Sequence, residues 1–308
     1  MLDATLRREL VELLSKSFTT DQIEELGRLV LGSFDLYTAV GIEKHITLST
    51  RRAANGLVEF VESTKKPVDL IRLIVEADGT QFMNRPVCIP DIETFLDGLS
   101  RSGWVYDFGK RRLVESKHDP VEIPNWGALR EGKSYSVTVA SVDIAGSSAL
   151  ARTHGQRKMK RLLHQFRGFL KEKLRYYDGR VWSWGGDGGM IAFTFKNHET
   201  RATQFALDLQ RTIGVFCANR DFPVEEAICL RIGMDTGPVV FHHETGTIVS
   251  DTINFAAHLE KQSTAAGHVG ISELVHEKLG PRLAAVFSTE AELEGRPIYI
   301  TTRRVDEL

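Results

Sequence analysis

The sequence predicts an α+β protein in which an all-α helical domain precedes a ferredoxin-like βαββαβ domain. Three observations carry this prediction. Apolar residues keep helical spacing through roughly the first hundred positions. From Tyr135 onward, β-branched runs alternate with amphipathic helical stretches. A glycine-rich turn then folds two of those runs into a hairpin. At 308 residues the chain has room for two ordinary domains. The expected division is a helical adaptor or regulatory domain over 1–100, a linker over 101–133, and the second domain over 134–308.

In the N-terminal part, Leu6, Leu10, Leu13 and Leu14 mark one helix, and Ile23, Leu26, Leu29 and Val30 a second. Thr19 with Gln22 fits a capping box for the second helix, with Asp21 as an alternative cap. GIEKHITLSTRRAAN reads as a polar loop leading to a helix that holds Leu57, Phe60 and Val61. Pro67 opens a further helix whose buried face is Leu70, Ile71, Ile74 and Val75. A smaller helix over 91–99 closes this half. It carries no catalytic constellation and reads as a packing or adaptor module.

Residues 101–133 change character. Lys110, Arg111, Arg112, Pro120 and Pro124 suggest a linker that accommodates one hairpin, and the basic triplet reads as a solvated surface. SYSVTVASVDIAG then reads as a buried strand, followed by a long helix to about Tyr176 with Leu162, Leu163, Phe166 and Leu170 inward. GRVWSWGGDGGMIAFTF gives two strands around a glycine turn. A second helix covers about 199–216, a strand follows at ICLRIGMDTG, and a helix at 252–262 and a closing strand near 298–301 complete the pattern.

Composition excludes several classes. A net charge of −2 gives no Lys/Arg excess for nucleic-acid binding. No apolar run approaches the roughly 18–20 residues of a membrane-spanning helix, and the charged start MLDATLRREL lacks the apolar core of a signal peptide. Three cysteines without CxxC spacing point to free thiols, so the expected setting is the cytoplasm.

Chemistry concentrates at two aspartates. Asp143 ends a buried apolar strand, where an unpaired carboxylate is costly. The residues after it, including Gly146, Ser147 and Ser148, are small and turn into a helix, which makes a phosphate cradle of helix N-terminal N–H groups. Asp187 lies at a hairpin tip in GGDGG, where backbone approaches a ligand closely. The fold order makes the first strand and the hairpin neighbours, so the two carboxylates should converge. Paired carboxylates beside a phosphate cradle suit Mg²⁺ or Mn²⁺, which prefer oxygen ligands. His242-His243 reads as a solvent-facing strand end rather than a metal site. Trp182 and Trp184 alternate with Ser183 and are expected to share one strand face, in core or dimer packing.

At these residues a resemblance appears. SVDIAGSSAL resembles the first metal-binding strand of class III adenylate and guanylate cyclases, and WGGDGGMIAF their metal-binding hairpin. RIGMDTGPVV resembles their central strand, and SDTINFAAHLE the helix that carries transition-state residues. The resemblance implies that Asp143, Asp187 and the backbone carbonyl of Ile144 hold two Mn²⁺ or Mg²⁺ ions. It implies a reaction in which a nucleoside triphosphate gives a cyclic 3′,5′-monophosphate and pyrophosphate. It further implies that Asn254 orients the ribose, and that a homodimer forms with metal ligands from one subunit and Asn254 from the other.

The departures from the family pattern point to the base. The family's transition-state arginine falls on His258, and the base-selecting lysine and aspartate of adenylate cyclases fall on Ser183 and Thr247. The late phosphate-binding lysine has no clear counterpart, with Arg296 the nearby cation. With neither purine pattern present, the chain resembles the pyrimidine cyclases of bacterial antiphage signalling (Pycsar). That implies UTP as substrate ahead of CTP, and a second messenger made in defence. The N-terminal half resembles, in pattern rather than motif, effector-associated adaptors, implying a protein partner there. Two rivals stand beside this: a purine cyclase with unusual base-reading residues, and a pseudocyclase that binds nucleotide without turnover.

Overall fold

A computed structural model of the chain describes residues 2–117, 123, 125–302, 304 and 305, with only the backbone of Thr289 and Glu290. The chain divides into two compact units, Met1–Leu129 and Arg130–Leu308.

The first unit is mainly helical. It comprises α1 (Ala4–Ser17), α2 (Thr20–Leu31), α3 (Leu36–Val40), α4 (Thr50–Ser63), α5 (Pro67–Ala77), a short hairpin of β1 (Gln81–Phe82) and β2 (Arg85–Pro86), and α6 (Ile92–Arg101). A second hairpin, β3 (Trp104–Asp107) with β4 (Arg112–Glu115), follows and buries Tyr106 and Leu113. Local rules set most of the starts. Asp3 accepts from Thr5 N and Leu6 N, Thr19 and Gln22 form the reciprocal capping box, and Pro67 lies in the first turn of α5.

Two expectations are corrected here. The predicted loop over 41–55 ends early because Ser49 caps α4, its hydroxyl accepting from Arg52 N at 3.3 Å, so 50–55 is helical. Leu29 and Phe60 keep the helical period but are 56% and 39% exposed, because they lie at the margin of their helices' apolar faces. In the 101–133 stretch the expected hairpin forms and Lys110, Arg111 and Arg112 are all exposed, with Arg111 also reaching Glu76 at 2.9 Å. Pro120 and Pro124 lie outside the described residues.

The second unit is a seven-stranded sheet with helices on it. In chain order it runs β5 (Ser134–Ile144), α7 (Ser147–Tyr177), β6 (Arg180–Gly185), β7 (Gly188–Phe193), α8 (His198–Cys217), β8 (Leu230–Val240) and α9 (Asp251–His258). It continues with β9 (Val269–Ser272), α10 (Glu273–Glu277), α11 (Pro281–Ala284), β10 (Phe287–Leu293) and β11 (Arg296–Thr301). The strand order is β10-β11-β9-β8-β5-β7-β6, antiparallel except for the parallel pair β8–β9. One core joins Val142 and Ile144 of β5, Ile232 and Met234 of β8, Leu162 and Phe166 of α7, and Phe205 and Leu209 of α8. α7 bends at Gly155, whose φ of 77° is outside the helical region.

α9 lies on β8 and β5, and two glycines of β8 permit it. A Cβ at Gly233 would stand 2.3 Å from Glu260 N, and one at Gly237 2.5 Å from Thr252 Oγ1. After His258 the helix widens into a π-turn over Leu259–Ser263. The predicted single helix over 252–262 therefore ends in a different geometry. Among the described residues no helix is long and apolar enough to cross a membrane.

Candidate active site

The site grows from the register of the central strands. Asp143 pairs with Gly188 of β7 on one side and Arg231 of β8 on the other. Asp187 immediately precedes Gly188 in the turn between β6 and β7, so the carboxylates of Asp143 and Asp187 issue from adjacent positions at one end of the sheet. Gly188 is required there, since a Cβ would lie 2.8 Å from the Val142 carbonyl and 3.0 Å from Asp143 Oδ1. The turn is anchored by Trp184 Nε1, which donates to the Gly186 carbonyl at 3.2 Å.

Ile144 faces Leu230, while Ala145 N donates to the Cys229 carbonyl. The alternation of an antiparallel ladder then directs the Ile144 carbonyl away from β8, toward the end of β5 where the Asp187 turn lies. Next in the chain, Gly146 adopts φ 72° and starts α7, a helix with no side-chain cap. The Ser147 hydroxyl donates to Asp187 Oδ2, which ties the helix start to the hairpin turn. Ser148 follows in the first turn of α7.

Sequence reasoning missed Arg231 and Glu260. Arg231 Nη2 donates to Asp143 Oδ2 at 2.5 Å, and its Nε lies 3.0 Å from Glu260 Oε1. The hydrogen bond it donates to Asp143 pushes the guanidinium above its ordinary value. Burial pushes the Glu260 carboxyl up to about 7, a rise that Arg231 opposes and the Asp143 and Asp187 charges reinforce. The available signal was Arg231 itself, a cation in an otherwise apolar strand end, one position before Ile232.

Ser183 and Thr247 lie in one neighbourhood. The Thr245–Thr247 turn is bonded to β6 by the Thr245 hydroxyl, which donates to the Trp182 carbonyl, and a Cβ at Gly246 would lie 3.8 Å from Ser183 Cβ. Thr247 donates its hydroxyl to the Glu244 carbonyl. The expectation that Trp182 and Trp184 simply share one face needs correction. A register shift between Val181 and Ser183 inserts Trp182 as an extra residue, so plain alternation is lost. Trp182 packs against Phe241 and Trp184 against Phe166, with centroids 6.1 and 6.0 Å apart.

Asn254 and His258 lie one turn apart on the exposed side of α9. His258 Nδ1 is 2.5 Å from Glu294 Oε1, and Arg296 stacks over the Phe255 ring at 4.9 Å. No hydrogen bond or ion pair joins these residues to Asp143 or Asp187 among the described contacts. His242 and His243 both turn to Glu131, by a 2.8 Å contact from His242 Nδ1 and a 2.7 Å bond from His243 N.

The residues at the strand end suit a hard divalent cation in their donor chemistry, carboxylate and backbone carbonyl oxygens, although the Arg231 guanidinium on Asp143 has to yield to one. Among the described residues no group of three or more His, Cys, Asp or Glu side chains is arranged for a metal. An ion at this pair therefore needs backbone or substrate oxygens as well.

The architecture is that of a class III nucleotide cyclase catalytic domain, with a helical region before it. The chain belongs to the family described as the adenylate and guanylate cyclase catalytic domain, whose model matches residues 130–302. It is 28% identical over 168 residues to the putative adenylate cyclase 3 of Rhizobium meliloti (strain 1021), a match covering 53% of this chain and 27% of that protein. Among solved structures, it resembles the guanylate cyclase domain of RhGC from Catenaria anguillulae in complex with GTP. That likeness has 24% identity and a TM-score of 0.46, over 56% of this chain and 99% of that one. It also resembles the adenylyl cyclase CyaB from P. aeruginosa, with 19% identity and a TM-score of 0.48, over 56% and 95%.

Proposed function

We propose that the chain is a nucleotide cyclase converting a nucleoside triphosphate to a cyclic 3′,5′-monophosphate and pyrophosphate. The observation that carries this reading is the placement of Asp143 and Asp187 at adjacent positions beside the uncapped start of α7. Asp143, Asp187 and the Ile144 carbonyl would hold two Mn²⁺ or Mg²⁺ ions, whose positive charge would favour ionisation of the ribose 3′-hydroxyl and offset the charge of the triphosphate. Gly146, Ser147 and Ser148 present backbone N–H groups to phosphate oxygens. The 3′-hydroxyl gives up its proton to solvent, its oxygen attacks the α-phosphorus, the bond from that phosphorus to the β-phosphate oxygen breaks, and pyrophosphate leaves. Asn254 orients the ribose, while His258 and Arg296 face the phosphates. In a homodimer, metal ligands would come from one subunit and Asn254 and His258, on the exposed side of α9, from the other. Strand order β8-β5-β7-β6 supports the ferredoxin-like reading of the domain.

For the base we favour UTP, then CTP. Gly246, the neighbour of Thr247, comes against Ser183, and hydroxyls can meet uracil's donor and acceptor edge without the fixed charges purine enzymes use. This fits a cytoplasmic synthase of the Pycsar antiphage type, with 1–100 as an adaptor for a protein partner, 101–133 as linker and 134–308 as the cyclase domain. A second reading, nucleotide binding without turnover, is favoured by the pairing of His258 with Glu294, a carboxylate where phosphate must pass. The deciding experiment incubates purified protein with Mn²⁺ and each of four NTPs and resolves products by mass spectrometry. Cyclic UMP or CMP supports the favoured reading; cyclic AMP or GMP removes the pyrimidine assignment; nucleotide bound to the protein with no product from any NTP supports the second reading.

A further inference from the structure

Arg231 stands between two carboxylates that it does not serve equally. Its Nη2 donates to Asp143 Oδ2 at 2.5 Å in good geometry. Its Nε is 3.0 Å from Glu260 Oε1, yet neither atom completes a hydrogen bond there, although both are buried. A buried donor and a buried acceptor within reach but misaligned are each short of a partner, which is costly unless another arrangement satisfies them. Glu260 cannot drift away to find one. It is 7% exposed, it lies in the π-turn that follows His258, and its backbone N is pressed onto Gly233, where a Cβ would come within 2.3 Å. Single π-turns inside helices recur where a side chain must be placed for function.

We infer that Glu260 is a positioning residue that takes over Arg231 when the Asp143 carboxylate turns to a divalent cation. The inference rests on the reading of Asp143 as a metal ligand. A guanidinium bonded to Asp143 competes with a cation for the same oxygens and repels it. Once Asp143 rotates toward the cation, Arg231 loses its aligned acceptor. The misaligned Nε–Oε1 contact then closes with a small rotation of the guanidinium, so the arginine stays paired. Without Glu260, releasing Asp143 would strand a partly buried guanidinium, and Arg231 would hold the carboxylate more tightly.

The test is Mn²⁺ binding to the full chain, by calorimetry and by the EPR signal of free Mn²⁺, without nucleotide and without reference to activity. Glu260→Gln should weaken Mn²⁺ binding by about tenfold, the lower end for a residue that orients a metal ligand. Arg231→Met should tighten it. In the Arg231→Met background, Glu260→Gln should have no further effect, because the glutamate acts through the arginine. Glu260→Asp, which keeps the charge, should recover part of the loss, and circular dichroism verifies that each variant is folded. Equal Mn²⁺ affinity of Glu260→Gln and wild type would overturn the inference. So would an undiminished loss in the Arg231→Met background, which would mean Glu260 acts by its own charge. Full Mn²⁺ binding by Asp143→Ala would remove the metal reading itself, and this inference with it.

Discussion

His258 and Glu294 meet at 2.5 Å, joining the end of α9 to the turn between β10 and β11. Glu294 reaches this position from a left-handed backbone, φ 52°, just before Gly295. The pair places an imidazole and a carboxylate where the family resemblance leads one to expect an arginine. A guanidinium presents a fixed planar fork of donors, whereas the imidazole here already has a carboxylate partner. If His258 donates to phosphate, His258→Ala should lower turnover by at least about tenfold, the lower bound for a lost phosphate donor, and His258→Arg should restore most of it. Equal turnover of His258→Ala and wild type would make the residue structural.

Asp143→Ala and Asp187→Ala should each cut cyclase activity by more than about a hundredfold, since each removes charge that stabilises the transition state. Relief of like-charge repulsion alone suggests slightly raised stability, but the structure reverses that expectation. Asp143 bonds Arg231 and Asp187 accepts from Ser147, so each alanine should lower Tm slightly. A variant that keeps a tenth of wild-type turnover would sink the assignment.

Activity should belong to the dimer. Mixing inactive Asp143→Ala with inactive Asn254→Ala should restore about a quarter of wild-type activity, because half the dimers are mixed and each has one intact site. Absence of recovery, with subunit exchange shown by mass spectrometry, would place the whole site in one chain.

Glu260 should make stability depend on pH. Its carboxyl is raised from 4.5 to about 7 in the folded chain, chiefly by burial. Between those values the folded state keeps a proton the unfolded state has lost, so this contribution is full below 4.5 and disappears as pH rises through about 7. In metal-free protein, wild-type Tm should drop across that window by a few degrees more than Glu260→Gln. Parallel Tm curves would show that the glutamate titrates normally.

Substrate choice should follow Ser183 and Thr247. A site that hydrogen-bonds its base rejects one that leaves those groups unpaired once it is bound. The double exchange Ser183→Lys with Thr247→Asp should therefore move the product ratio toward cyclic AMP. Unchanged ratios would mean that the base is read elsewhere.

Much of the fold was legible because local rules and burial agreed. The β-branched run of β5 and the glycines around Asp187 fixed a strand and a hairpin tip, and adjacency of β5 and β7 followed from element order. Thr19, Gln22 and Pro67 announced helix starts for the same reason. Arg231 and Glu260 were not legible, since their contact spans 29 positions (260 − 231) and depends on a π-turn that no period reveals. Nor was the extra residue at Trp182, because a bulge arises from the pairing of two strands and is absent from either one alone.

That bulge gives the hairpin slack. Its arm from Arg180 to Gly185 has one residue more than the facing arm from Gly188 to Ala192, and the surplus is absorbed at Trp182 rather than at the tip. The length of the arm holding Ser183 is thereby uncoupled from the position of the turn holding Asp187. A change in the number of residues on the arm holding Ser183 can be taken up at Trp182, leaving the turn and its carboxylate where they were.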